Sequence, residues 1–335
     1  VTEPRVLRVA EVVDETADAR TIVFDADFPY APGQFLTLRI PSDQCGSVAR
    51  CYSLSSSPHQ GGLPGITVKR TVDGYASNWV CDNVRAGSTI EVLPPSGIFT
   101  PKSLDADLLL FAGGSGITPI LSILRSALCA GSGRIVLFYA NRDESSVIFA
   151  AALRALAAAN PERLTVFHWL ESVQGLPTVA QLTELARPFA TFDAFTCGPA
   201  PFMKAVTEAL KSLGLPRERR HLERFASLGA NPFELVAKVT DPDAGSAVVE
   251  LELDGTRHTL DWPVETKLLD LLLDKGLAAP YSCREGACSA CAYRLVSGEV
   301  KLLNNEVLDK DDLDEGIRLA CQSLPVSEKV EISYE

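Results

Sequence analysis

Apolar and polar positions change their rhythm twice along the 335-residue chain. Over residues 1–100 they alternate, the period of half-buried antiparallel strands. In Phe35-Leu36-Thr37-Leu38-Arg39-Ile40 the even positions are aliphatic and the odd ones mostly polar, and Ile66 and Val68 alternate with Thr67 and Lys69. Pro32-Gly33, Gly61-Gly62 and Pro94-Pro95 punctuate these runs, and the one helical stretch follows Gly74. The pattern predicts a small antiparallel β-barrel. From Leu104 short apolar runs (108–112, 135–140, 164–170, 194–197) alternate with helical patterns (120–128, 147–158, 202–213). Such alternation predicts a parallel sheet covered on both faces, a doubly wound α/β domain ending near Phe225. Asn231-Pro232 and Asp241-Pro242-Asp243 then suit a linker. Beyond it Asp254-Gly255 marks a hairpin between strands at 248–253 and 259–262. Thr266 is expected to cap a helix over 268–275 that Gly276 closes, with strands at 292–296 and 330–334. The domains expected are 1–103, 104–228 and 246–335, with 229–245 as linker.

Length alone makes two or three domains natural. The apolar share of 46% and charged share of 22% are those of soluble globular protein. No apolar run approaches the roughly 18 residues that a membrane span needs. Residues 1–10 lack the features of a signal peptide, so a cytoplasmic protein is expected, and a monomer. The net charge is −12, and residues 246–335 carry 18 acidic against 9 basic side chains. That end repels nucleic acid and suits a basic protein partner. Asp309, Asp311, Asp312, Asp314 and Glu315 are its candidate docking surface.

Nine cysteines fall into two classes. Cys45, Cys51, Cys81, Cys129 and Cys197 are scattered singly, unlike a disulfide framework. The others read Cys283-x4-Cys288-x2-Cys291, with Cys321 after 29 further residues. Four thiolates that converge on two irons need a loop small enough for backbone N–H groups to approach sulfur, and Gly286, Ala287, Ser289 and Ala290 fill the intervals. A structural zinc site pairs its ligands as two short knuckles, whereas here three sit in one loop and the fourth stands alone. The spacing therefore favours [2Fe-2S]. Cys283 to Cys291, with Leu319-Ala320-Cys321-Gln322-Ser323, resembles the ligand segments of plant-type ferredoxins, which implies an α+β β-grasp fold over 246–335.

Five further segments resemble the ferredoxin reductase superfamily. Arg50-Cys51-Tyr52-Ser53 is similar to its R-x-Y-S signature, and Lys69-Arg70 with Gly74-Tyr75-Ala76-Ser77-Asn78-Trp79 to its pyrophosphate segment. Gly113-Gly114-Ser115-Gly116-Ile117-Thr118-Pro119 is similar to its G-G-x-G-x-T-P turn. It departs from both G-x-G-x-x-G and G-x-S-x-G. Cys197-Gly198-Pro199 and Glu223-Arg224-Phe225 resemble its C-G-P turn and terminal acid-plus-aromatic segment.

The resemblance implies a role for each segment. Arg50 would offer a fork to a flavin phosphate, Tyr52 would stack on the isoalloxazine, and the Ser53 hydroxyl would reach N5. Lys69, Gly74, Ser77 and Asn78 would hold the pyrophosphate of FAD at a helix start. Gly113, Gly114, Gly116, Thr118 and Pro119, the last two as helix cap and first turn, would receive NADH with Cys197, Gly198 and Pro199. Glu223 would line the hydride path and Phe225 would lie against the flavin. The domain order is similar to that of oxygenase reductases with a C-terminal ferredoxin. Segments 30–41, 47–53 and 69–79 most resemble the branch that serves steroid-ring hydroxylation. That implies electron flow from NADH through FAD and [2Fe-2S] to a Rieske-type oxygenase. Of the residues after the second parallel strand, Asp143 and Glu144 are expected to disfavour a 2′-phosphate, while Arg142 would attract one. The rival reading is a redox or nucleotide sensor with structural zinc. His59, His168, His221 and His258 lie far apart, and no nucleophile–base pairing suggests a hydrolase.

Overall fold

The computed structural model describes residues 4–229, 231–234 and 245–334, so most of the expected linker lies outside the described residues. The chain packs as two compact units. One comprises Val6–Ile40 with Cys51–Phe225; the other comprises Val1–Arg5, Pro41–Arg50 and Ala226–Glu335.

Alternation in the first hundred residues yields β1 (Arg5–Thr16), β2 (Ala19–Phe24), β3 (Phe35–Ser42), β4 (Gly46–Ser53), β5 (Gly65–Lys69), α1 (Tyr75–Asn83) and β6 (Thr89–Ser96). The sheet order is β4-β3-β6-β1-β2-β5, and its registered pairs are antiparallel. Leu54, just past β4, bridges Ile66 of β5, joining the two edges and closing the barrel. β3 is not half-buried as its alternation predicts. Phe35, Leu36, Thr37, Leu38 and Ile40 are all buried, and the outward Thr37 hydroxyl lies 3.5 Å from the Cys51 sulfur.

The apolar runs that follow become β7 (Leu108–Gly113), α2 (Ile117–Ala130), β8 (Ile135–Asn141), α3 (Ala150–Ala159), β9 (Leu164–Leu170), α4 (Glu171–Gln174), α5 (Val179–Ala186), β10 (Asp193–Cys197), α6 (Ala200–Ser212) and β11 (Arg220–Glu223). Every registered pair in the order β11-β10-β7-β8-β9 is parallel. Because side chains alternate along a strand, Leu108, Leu110 and Ala112 of β7 pack with α2 and α3 on one face. Leu109 and Phe111 pack toward α5 and α6 on the other. This is the doubly wound arrangement, and its ligand edge is the carboxyl ends of the strands.

The second unit holds β12 (Ser246–Leu253), β13 (Thr256–Pro263), α7 (Leu268–Asp274), β14 (Ala292–Ser297), β15 (Val300–Leu302), α8 (Lys310–Asp314), β16 (Ile317–Leu319), β17 (Ser323–Pro325) and β18 (Lys329–Ser333). Its main sheet runs β13-β12-β18-β14-β16, with β12 and β18 parallel, and α7 buries Leu268, Leu269 and Leu272 against it. Asp254 and Gly255 turn the hairpin with φ of 51° and 69°, the two left-handed residues of a type I′ turn. Thr266 does not cap α7. Lys267 holds that position without a side-chain bond, and the Thr266 carbonyl accepts from the indole of buried Trp262 at 2.7 Å.

Candidate functional site

The loop from Cys283 to Cys291 has no regular structure because its backbone turns back on itself. Arg284, Gly286 and Ser289 all have positive φ, at 60°, 86° and 54°. Glycine is needed at 286, where a Cβ would stand 2.8 Å from the Asn304 carbonyl. The turns aim backbone N–H groups at sulfur. Glu285 and Ala287 donate to Cys283 Sγ at 3.5 and 3.3 Å, and Cys283 donates to Cys288 Sγ at 3.4 Å. Cys321 arrives two residues past β16 and its N–H donates to Cys291 Sγ at 3.5 Å. All four cysteines are buried. The thiols interact directly: bonds from Cys288 and then Cys321 hold Cys283 well below the usual thiol range, while Cys283 and Cys291 hold Cys321 far above it. Four convergent sulfurs with backbone donors fit an iron–sulfur cluster, since thiolate ligands and N–H···S bonds are what such a cluster needs.

The loop is gripped from several sides. Arg284 pairs with Asp270 at 2.5 Å and lies over the Tyr281 ring. Gln322 donates to the Arg284 carbonyl, Asn304 to that of Glu285, and the Glu306 amide to that of Gly286. The Glu285 carboxylate accepts the Gly229 amide at 2.8 and 3.0 Å. Sequence reasoning missed these supports, because none carries a motif. Asp309 and Asp312, two acids of the candidate docking surface, each accept the other's amide at the start of α8.

Nucleotide-binding candidates gather at the ligand edge of the α/β sheet. The register sets Ala112 beside Cys197, and Cys197 beside Glu223. Gly113–Pro119 therefore lies against Cys197–Pro199. A Cβ on Gly116 would stand 2.1 Å from the Cys197 carbonyl, so only glycine fits. Thr118 is not the helix cap. α2 starts at Ile117 after Gly116, Thr118 and Pro119 sit inside its first turn, and the Thr118 hydroxyl donates to the Ser115 carbonyl at 3.1 Å. Burial pushes the Cys197 thiol up, with Glu223 adding to the effect, and burial pushes the Glu223 carboxyl up to about 8. Both are uncharged near neutral pH. Phe225 follows with 52% of its surface exposed.

The flavin candidates are more dispersed. Ser53 is buried at the end of β4 and Tyr52 half-buried beside it. In the second unit, Arg50 donates to the carbonyls of Ala49 and Leu228 at 2.6 and 2.8 Å. Gly74 precedes α1 as expected. Ser77 accepts the Thr71 amide at 2.9 Å and Asn78 donates to the Gly74 carbonyl at 2.7 Å, so both hold the turn that enters the helix. Lys69 ends β5, 3.7 Å from Asp18.

One face of α2 joins these two groups. Ser122 donates to the Ser56 carbonyl at 2.6 Å, Arg125 to that of Ser55 at 3.2 Å, and Ser126 meets the Ser57 hydroxyl at 2.8 Å. Positions i, i+3 and i+4 share a helix face, so the helix that opens at the glycine turn is fastened to the chain just past Tyr52 and Ser53. The polar face of an otherwise apolar helix was the available signal.

Comparison with known proteins agrees with this division. Residues 7–100 match an oxidoreductase FAD-binding domain, 110–208 an oxidoreductase NAD-binding domain, and 251–326 a 2Fe-2S iron-sulfur cluster binding domain. The ferredoxin reductase component of 3-ketosteroid-9-alpha-monooxygenase from Mycolicibacterium smegmatis is 58% identical, covering 98% of this chain and 96% of its own. Its counterpart from Rhodococcus rhodochrous is 56% identical over the same shares. The solved structure of phthalate dioxygenase reductase, 25% identical, superposes with a TM-score of 0.60 over 98% of both chains.

Proposed function

This chain belongs to the family of ferredoxin reductase components of 3-ketosteroid-9-alpha-monooxygenase, and from that premise we propose that it takes electrons from NADH and delivers them to a Rieske-type oxygenase that hydroxylates a 3-ketosteroid. The observation that carries the reading is the buried four-sulfur loop on the same chain as a flavin barrel and a nicotinamide sheet. When bound, FAD takes the two electrons of a hydride and the [2Fe-2S] cluster passes them on singly.

The chain's own residues bind, orient and exclude water. Cys283, Cys288, Cys291 and Cys321 ligate the irons. Tyr52 and Ser53 face the flavin ring and Arg50 its phosphate. Lys69, Gly74, Ser77 and Asn78 shape the pyrophosphate turn, which favours FAD over FMN. Gly113, Gly114, Gly116, Thr118, Pro119, Gly198 and Pro199 admit the dinucleotide. Cys197 and Glu223, protonated near neutral pH, give the nicotinamide ring an uncharged wall, and Phe225 covers the flavin. The working domains are 1–103, 104–228 and 246–335, joined by a linker at 229–245, in a cytoplasmic monomer. Among the described residues no helix is long and apolar enough to cross a membrane.

Reconstitution tests this. Purified protein, NADH, the oxygenase component and a 3-ketosteroid should yield 9α-hydroxylated product. A colourless, zinc-loaded protein, or FMN as the released flavin, would contradict the reading.

A further inference from the structure

The turn between β1 and β2 carries Asp18, whose two carboxylate oxygens have different tasks. Oδ1 accepts the Thr16 hydroxyl at 2.8 Å, which fixes the side chain. Oδ2 faces two cations from different parts of the unit, Lys69 Nζ at 3.7 Å and Arg142 at 3.5 Å. Arg142 directly follows β8, the second strand of the parallel sheet, where a dinucleotide's adenosine ribose is selected. It is 68% exposed, so its guanidinium is available to a ligand. Lys69 lies beside the glycine turn, its ammonium 4.0 Å from where a Gly114 Cβ would stand.

The acids expected to repel a 2′-phosphate do not all point that way. Asp143 accepts from the Ser145 hydroxyl at 2.7 Å and the Ser146 amide at 2.9 Å, so its carboxylate is engaged as a cap. Without Asp18, the loop would present Arg142 as a good phosphate ligand. We propose that Asp18 is a specificity-determining residue, which occupies Arg142 and thereby makes NADH, not NADPH, the reductant. The inference rests on the nicotinamide site assigned above. Its physical basis is charge: a 2′-phosphate placed on Arg142 would also meet the Asp18 carboxylate, while the neutral 2′-hydroxyl of NADH meets no such penalty.

Asp18→Asn keeps the size of the side chain and removes the charge. The ratio of kcat/KM for NADPH to that for NADH should rise about tenfold, through KM for NADPH, and less at high salt. Inhibition by 2′,5′-ADP should tighten while inhibition by 5′-ADP stays nearly constant, a contrast that a purely structural effect would not produce. Adding Arg142→Ala to Asp18→Asn should return both readouts toward wild type. An unchanged ratio in Asp18→Asn, an equal loss with both nucleotides, or a ratio indifferent to Arg142 would each overturn the proposal. Failure of the wild type to oxidise either nucleotide would instead refute the functional reading.

Discussion

Two loops carry the chemistry of this molecule, and they are built on opposite principles. The Gly113–Pro119 turn is defined by missing side chains and by close packing of one backbone on another. The Cys283–Cys291 loop is defined by side chains that converge, and its three left-handed residues would have little to hold without sulfur at their centre. The first therefore has its shape before any ligand arrives. The second has much of its stability in the metal it binds, because bringing four thiolates together without a cation is costly. Selection acts on different atoms in the two places, backbone in one and sulfur in the other.

The sharpest way to break the first loop is to add one methyl group. Gly116→Ala would drive Cβ into the Cys197 carbonyl, where backbone on both sides leaves no room to relax. We expect a stability loss of at least about 3 kcal/mol and loss of flavin reduction by NADH, read by denaturation and stopped flow. Gly116→Ala with wild-type stability would show that the contact yields.

A somewhat similar effect should appear in pH dependence. Burial raises the folded pKa of Glu223 to about 8, from an ordinary 4.5. The folded state then binds the proton more tightly than the unfolded state. Its stabilisation is full below pH 4.5 and is lost as pH rises to about 8, a fall of about 4 kcal/mol in the nucleotide-free protein. Glu223→Gln mimics the protonated acid and should flatten this profile. A wild-type profile equally flat would mean that Glu223 is ionised at neutral pH.

How much of this was legible depended on whether the signal was local. Asp254-Gly255 and the cysteine spacing are complete within a short segment, and the β7 and β8 runs are apolar on both faces, so all were readable. Thr37 was not. Its polarity predicts an exposed face, but tertiary packing covers it. Thr266 looked like a cap by type and position, yet its carbonyl was claimed by Trp262 from the preceding strand. Thr118 failed likewise, because the helix begins one residue before it. Asp18, Glu285 and the polar face of α2 act on residues distant in sequence, and no pattern of neighbours announces such contacts.

The hydrogen bonds along one face of α2 form a smaller seam. Ser122→Ala or Arg125→Ala removes one bond to the Ser55–Ser56 backbone. Each should cost about 1–2 kcal/mol. Each should also slow flavin reduction while leaving cluster content intact. Unaltered reduction rates in both variants would mean that the seam stabilises without positioning.

The central claim, that flavin chemistry and cluster chemistry reside in separable structures, is tested most directly by Cys288→Ser. Flavin content, iron content and two activities would be measured on the same preparation. The expected result is loss of the cluster, retention of flavin and NADH–ferricyanide activity near wild type, with electron delivery to the oxygenase abolished. Loss of flavin together with iron, or oxygenase turnover that survives without the cluster, would contradict it.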